Sequence, residues 1–213
     1  MAPRRRNRVS RAEKSESTRL ALIEAAAAVV GEYGYTGASI ARIAMKANVA
    51  QGTIYNYYES RDDLFAHLLP EVGTMMIEYI SKHMQQDLDL YAKEKARIRG
   101  YLEFLRTYPS FYRVLQEAEI FAPTAHRKHI ENMVSGYIKA ISHDMVREGL
   151  ALPNPVELEA IIYMLLGARN YLAMRFFQQE STSEHELDRT VETYMRMIKG
   201  GLFDSPEYQS NNG

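Results

Sequence analysis

The 213-residue chain contains no cysteine and no tryptophan. Without thiols it can form no disulfide, no thiolate nucleophile and no cysteine-based zinc site. No apolar run reaches the roughly 20 residues that a membrane-spanning helix needs. A basic start is not followed by a continuous apolar stretch, which tells against a secretory signal and makes the cytoplasm the expected location. No Gly-rich phosphate loop, H-E-x-x-H pair or nucleophile elbow is present, so the expectation is not an enzyme, with no catalytic residues, no resident cofactor and no metal. Proline (7) and glycine (12) are scarce and fall between helical patterns. That distribution points to an all-α fold.

Hydrophobic residues make up 46% of the chain and charged residues 25%, the balance of a soluble protein with a core. The net charge of −1 conceals an asymmetry. Residues 1–61 hold ten Lys and Arg against five Asp and Glu, a balance of +5, so the remaining 152 carry −6. A cationic head on an anionic body suits a protein that offers one end to a polyanion. Arg4, Arg5, Arg6 and Arg8 can reach a minor groove or add affinity without sequence preference.

The periodicity divides the chain into a disordered basic tail (1–14), a helix-turn-helix head (15–61), a larger helical body (62–203) and a flexible tail (204–213). A first helix is expected from about Ser15 to Tyr33, with Leu20, Ile23, Ala27 and Val30 on one face and Gly34 as its stop. Ser39 is placed to cap a second helix, Asn48 to make the turn, and a third helix should span about Ala50 to Tyr57. Ser60 caps a fourth, with Asp62 and Asp63 at the positive end of its dipole and Pro70 expected to kink or divide it. Further helices are expected over 90–107, 109–121, 124–149, 155–178 and 184–199.

Two short helices joined by a tight turn, the second rich in polar groups, form a helix-turn-helix unit. Gln51 can pair with adenine, and Thr53 can bond a base edge or pack on a thymine methyl. Gly52 lets the backbone approach a phosphate, while Tyr55, Asn56 and Tyr57 offer further donors and Arg61 offers charge. Ile54 and Tyr58 read instead as core.

Residues 15–64 resemble the DNA-binding domain of the TetR/AcrR family of transcriptional regulators. The resemblance rests on Ile23-Glu24-Ala25-Ala26, Tyr33-Gly34-Tyr35, Ala38-Ser39-Ile40, Ile43-Ala44 and Ala47-Asn48-Val49. It continues through Gly52-Thr53-Ile54-Tyr55 and Ser60-Arg61-Asp62-Asp63-Leu64. It implies that Thr18, Ser39, Gln51, Gly52, Thr53, Tyr55, Tyr57 and Arg61 stand at the family's usual DNA contacts; Asn56 joins them on its chemistry. Three positions depart from the family pattern. Ala50 replaces a frequent Ser, removing a side-chain cap worth about 1 kcal/mol. Gln51 replaces a common Lys, and Asn56-Tyr57 replaces a frequent Tyr-His pair.

The resemblance further implies a helical body that binds an effector and dimerises, and hence a repressor released by a small molecule from a near-palindromic double-stranded DNA operator. Residues 157–177 are apolar around most of the helix, as expected of one buried on more than one side. Ile161, Leu165, Ala168 and Leu172, with Tyr194 and Ile198, are the expected homodimer contacts. Tyr79, His83, Tyr101, Phe104, Tyr108, Phe111, Tyr112, Met133, Tyr137 and Tyr163 are candidates for lining an effector site for an apolar or aromatic ligand. Arg169 is open to two readings, an anchor for an anionic ligand or a partner for an acid across the dimer. Glu117 and Glu119 could select a cation. His126 and His129, with Glu131 nearby, have a spacing that a metal can use but that a solvated helix start also explains. An effector-independent or architectural DNA-binding dimer is the alternative function.

Overall fold

A computed structural model describes residues 10–85, 87–177 and 183–200. The expectations for Arg4, Arg5, Arg6, Arg8 and for the tail at 204–213 lie outside these. Among the described residues there are nine helices and no strand. They are α1 (Arg11–Gly37), α2 (Ile40–Lys46), α3 (Gln51–Ile54), α4 (Arg61–His83), α5 (Leu90–Thr107), α6 (Pro109–Phe121), α7 (Pro123–Arg147), α8 (Pro155–Phe177) and α9 (Glu184–Gly200).

Local chemistry sets most of the boundaries. Proline opens α6, α7 and α8, where a missing N–H costs nothing and the fixed φ already suits a helix. Asp89 caps α5 by accepting from the Ala92 amide at 2.7 Å. Behind α7, Gly149 takes φ +69°, and the Leu150 amide reaches back to the Met145 carbonyl at 2.9 Å. This is the left-handed stop in which a glycine reverses the chain and satisfies the last carbonyls.

Three expectations need correction. Residues 11–14 belong to α1, because Ser10 and Glu13 form a reciprocal capping box (Ser10 N to Glu13 Oε2, 2.7 Å; Glu13 N to Ser10 Oγ, 3.1 Å). The Ser-x-x-Glu signal was masked by the surrounding charge. The buried stripe of α1 is Leu22, Ile23, Ala25, Ala26, Val29 and Val30, while Leu20 is exposed. Pro70 does not divide α4, which runs on across it. Leu68, Leu69 and Val72 are buried on either side of it, and that packing offsets the ~3 kcal/mol that a mid-helix proline costs.

The chain forms two compact units, one of Met1–Thr74 with Pro109–His129, the other of Met75–Tyr108 with Ile130–Gly213. The first therefore holds α6 and the start of α7 beside the head. Its core joins the stripe of α1 to Ile40, Ile43 and Ala44 of α2, Ile54 of α3, and Leu64, Phe65 and Leu68 of α4. The second is built around Val134, Tyr137 and Ile141 of α7 with Leu158 and Ile162 of α8, and α5 packs on both α8 and α9.

Candidate nucleic-acid interface and effector site

The first unit presents α3 through a turn that the sequence dictates residue by residue. Ser39 caps α2, its hydroxyl accepting from the Arg42 amide at 3.3 Å. Asn48 makes the turn at φ +54°, a conformation Asn adopts more readily than other residues bearing a side chain. Ala50 precedes α3 without a side-chain cap. The regular part of α3 is shorter than expected, Gln51–Ile54, but the Tyr57 and Tyr58 amides still bond the Ile54 carbonyl at 2.9 and 3.0 Å.

Ile54 and Tyr58 are buried, as their core reading required. Gln51, Gly52, Tyr55 and Asn56 are exposed, and Thr53 and Tyr57 are half-buried. Tyr55 is 55% exposed, which for a large ring on a short polar helix is an unpaired surface. A Cβ added to Gly52 would meet nothing within 4 Å, so the backbone there is open to a close approach. On α1, Ser15 Oγ lies 3.4 Å from the Tyr57 hydroxyl, and Thr18 bonds the Lys14 carbonyl at 2.9 Å.

Arg61, expected at the DNA, also braces the fold from within. Its Nε donates to the Ala38 carbonyl at 2.7 Å, its Nη2 to the Tyr35 carbonyl, and its guanidinium lies 4.5 Å from the Phe65 ring centroid. Those bonds hold the link between α1 and α2.

The effector candidates divide between the two units. Tyr79, His83, Phe104 and Tyr108 form a ring cluster, with centroids 4.5 Å (Tyr79–His83), 5.6 Å (Tyr79–Phe104) and 4.9 Å (Phe104–Tyr108) apart. Tyr101 is buried on α5, and Met133 is half-buried on α7. Phe111 and Tyr112 belong to the first unit, on α6. Tyr163 is 49% exposed beside the likewise exposed Met164 and Tyr171 of α8; it lies on the outer side of that helix.

Arg169 is held by an acid of its own chain rather than by one placed across a dimer. Within its own chain it donates through Nη2 to Glu94 Oε1 and to the Tyr137 hydroxyl. Tyr137 donates to Glu94 Oε2, and the Tyr194 hydroxyl to Glu94 Oε1 at 2.7 Å. Tyr194, expected at a dimer surface, is therefore buried in this network. Burial pushes both phenols well above their usual range, so they remain donors. Burial also works against the Arg169 charge, but Tyr137 and Glu94 more than offset it. Beside them Asp144 pairs with Lys93 and with Arg97 at 3.1 Å. Those bonds overcome the upward effect of burial and hold its carboxyl below the usual range.

His129 is buried in the first unit, where a Cβ at Gly73 would stand 2.5 Å from its ring. Burial, with His126 nearby, pushes its pKa down to about 4. Glu117, read as a selector of cations, instead accepts from the Tyr35 amide and from Arg113. Three functional features were missed in the sequence. The Ser10–Glu13 box and the i, i+4 pair Arg113–Glu117 carried visible signals; Glu94, inside the run Lys93-Glu94-Lys95, reads as solvated and carried none.

A short polar helix held by a tight turn on a small helical core defines a helix-turn-helix DNA-binding protein. Residues 22–68 match the family described as bacterial regulatory proteins, tetR family. An uncharacterized HTH-type transcriptional regulator, YhgD of Bacillus subtilis, is 25% identical over 158 residues, covering 73% of this chain and 81% of its own. The fatty acid metabolism regulator protein of Bacillus subtilis is 37% identical over 75 residues, 35% of this chain and 34% of its own. Among solved structures, FadR from Bacillus subtilis in complex with stearoyl-CoA superposes with a TM-score of 0.71 at 16% identity, covering 86% of this chain and 98% of that one. FadR from Bacillus halodurans gives 0.72 at 21% identity, covering 87% and 96%. Residues 22–68 are the DNA-binding domain of a tetR-family helix-turn-helix transcriptional regulator. No helix among the described residues is long and apolar enough to cross a membrane.

Proposed function

We propose that this regulator is a homodimeric repressor whose α3 reads a near-palindromic operator and whose body releases it on binding an amphiphilic acyl anion. The observation that carries the DNA half is the open, exposed face of α3. Gln51, Thr53, Tyr55, Asn56 and Tyr57 supply groups for base edges and phosphates around Gly52, where no side chain blocks the backbone. The Ser39 hydroxyl, having accepted from an amide, keeps its own proton for a phosphate; Thr18 stands at a backbone-contact position.

Dimerisation is supported by α8. Leu158, Ile162 and Ala173 are buried on one side, while Val156, Ile161, Tyr163, Met164 and Tyr171 leave an apolar stripe exposed on the other. Leu165, Ala168 and Leu172 are half-buried along the same helix, and Ile198 of α9 is 37% exposed. A two-fold operator needs two heads about 34 Å apart.

The effector reading rests on α5. One face carries Glu94 and Arg97, then Tyr101, then Phe104 and Tyr108, a polar end and an aromatic end about 15 Å apart at 1.5 Å per residue. At the polar end, Lys93, Arg97 and Arg169 outnumber Glu94 and Asp144. Arg97 Nη1 and Arg169 Nε are buried there without hydrogen-bond partners. Buried donors of that kind favour an anionic head group, and the aromatic end favours a long apolar tail. The relatives named for fatty acid metabolism and the stearoyl-CoA complex accord with that class.

The test uses a duplex enriched by the protein from a random-sequence pool. Stearoyl-CoA should release the protein from that duplex at concentrations where free CoA does not. Release by neither stearoyl-CoA nor stearate would remove the acyl reading. Thr53→Ala with Tyr57→Ala should abolish binding, and undiminished binding would remove the assignment of α3.

A further inference from the structure

Near its C-terminal end α1 is not a continuous helix. Gly34 adopts φ +70°, ψ 170°, a region that essentially only glycine occupies. Three backbone groups at the break bond to side chains of α6. In an unbroken helix the Tyr35 amide would donate to the Gly31 carbonyl, and the Thr36 amide to the Glu32 carbonyl. Instead the Tyr35 amide donates to Glu117 Oε2 at 2.8 Å, and both carbonyls accept from Arg113 Nη1, at 3.2 Å (Gly31) and 3.1 Å (Glu32). Arg113 Nε and Glu117 Oε1 close the arrangement at 2.6 Å. One arginine donates to both carbonyls and one glutamate accepts from the Tyr35 amide, so two side chains of α6 bond the backbone on either side of the break.

The surroundings fit this role. Gly31 approaches α6 so closely that a Cβ there would stand 2.8 Å from the Ser110 Cα. Phe121, four residues beyond Glu117, stacks on the buried Tyr35 ring at 6.1 Å. Arg113, Glu117 and Phe121 recur at i, i+4 and i+8, one face of α6. Past the break, the Tyr35 and Ala38 carbonyls are taken by Arg61, and Ser39 opens α2.

We infer that the Arg113–Glu117 pair is a positioning device for DNA recognition: by bonding the broken backbone at Gly34 it sets the direction in which the chain enters α2 and α3. Neither side chain is a DNA contact. Sequence discrimination depends on the pair because base-edge bonds tolerate little misplacement of α3, whereas contact with phosphates alone tolerates more.

The test compares the dissociation constants of the dimer for two duplexes of equal length, the one enriched by the wild-type protein from a random pool and a scrambled version. Arg113→Ala and Glu117→Ala should lower the ratio of specific to scrambled affinity about tenfold, the scale of a lost charge-assisted hydrogen bond. Glu117→Gln, which keeps an acceptor for the Tyr35 amide but not the charge facing Arg113, should lower it less and serves where the alanine variants do not fold. Mere loss of folded protein lowers both affinities together and leaves the ratio unchanged. That outcome, or a ratio within about twofold of wild type in all three variants, overturns the inference. Thr53→Ala is run in parallel, so that an error in the assignment of α3 shows itself separately.

Discussion

Around the Gly34 break and around Glu94, the two units use charge in opposite ways. In the head, guanidinium and carboxylate groups bind backbone: Arg113 and Glu117 at the Gly34 break, Arg61 on the Tyr35 and Ala38 carbonyls, Arg42 on the Gly37 carbonyl. These side chains keep part of their surface in water, Arg113 being 42% exposed and Glu117 24%. In the body, charges meet each other and phenols inside the fold, with Glu94 5% and Arg169 6% exposed. A partly hydrated group that loses its partner falls back on water, whereas a buried one cannot. The head can therefore be adjusted by single substitutions, while the buried network of the body stands or fails together.

The largest expected effect breaks that network. Glu94→Ala leaves Arg169, Tyr137 and Tyr194 facing a vacated acceptor, and should cost about 3–5 kcal/mol. Glu117→Ala should cost about 1 kcal/mol, since Glu117 and Arg113 both keep part of their surface in water. Denaturant unfolding of both variants checks the contrast. If the two losses are equal, burial does not distinguish the units as argued.

Next comes Gly34→Ala. Its φ of +70° disfavours any side chain, and the new Cβ would meet Arg113 Nη2 at 2.7 Å and Glu117 Oε2 at 2.9 Å. A loss of about 2–3 kcal/mol is expected. The same change in an Arg113→Ala background should cost less, because part of the collision is gone. Strict additivity of the two losses would mean that they act independently.

The third prediction concerns pH. His129 has its folded pKa depressed to about 4 from the ordinary 6.5. The unfolded chain thus takes up a proton where the folded chain does not. Stability from this residue is complete above pH 6.5 and is lost as pH falls towards 4, by about 2 kcal/mol at pH 5. His129→Asn should flatten that part of the profile relative to wild type, as read by thermal midpoints at pH 7.5 and 5. Parallel profiles would show that His129 is not held neutral.

The contrast between the units also explains what the sequence reveals. The head is built from relations between residues a few positions apart: Ser39 three before Arg42, Asn48 at the turn, Ser60 three before Asp63. Such relations can be read directly, and α2 and α3 with their buried Ile54 and Tyr58 follow from them. The bracing bonds of Arg61 are not legible, because its partners, 23 and 26 residues earlier, are backbone carbonyls that leave no trace in composition. The body depends on partners much farther apart, Glu94 with Arg169 at 75 residues and with Tyr194 at 100. Periodicity places each on a helix but does not say which faces meet. Arg169 stands out in the sequence because it interrupts the apolar run 157–177, whereas its partner Glu94 does not stand out.

The smallest expected effect is a gain, and it asks whether α3 is held by its own sequence or by its surroundings. Ala50 sits at φ −70°, ψ 147°, close to the φ −100°, ψ 155° of Ser39, which does cap its helix. A serine at position 50 meets the backbone geometry for capping without rearrangement, and Ala50→Ser should stabilise the free protein by about 1 kcal/mol. The reverse change in the body, Asp89→Ala, removes an existing cap from α5 and should cost a similar amount, about 1 kcal/mol. Thermal midpoints of the two variants should move in opposite directions. Should Ala50→Ser leave the midpoint unchanged while Asp89→Ala lowers it, the first amides of α3 do not limit stability. With the Thr53 amide already bonded to the Ala50 carbonyl at 2.9 Å, the amides before it would then face the DNA at the start of a recognition helix, and a serine that takes one of them should weaken DNA binding.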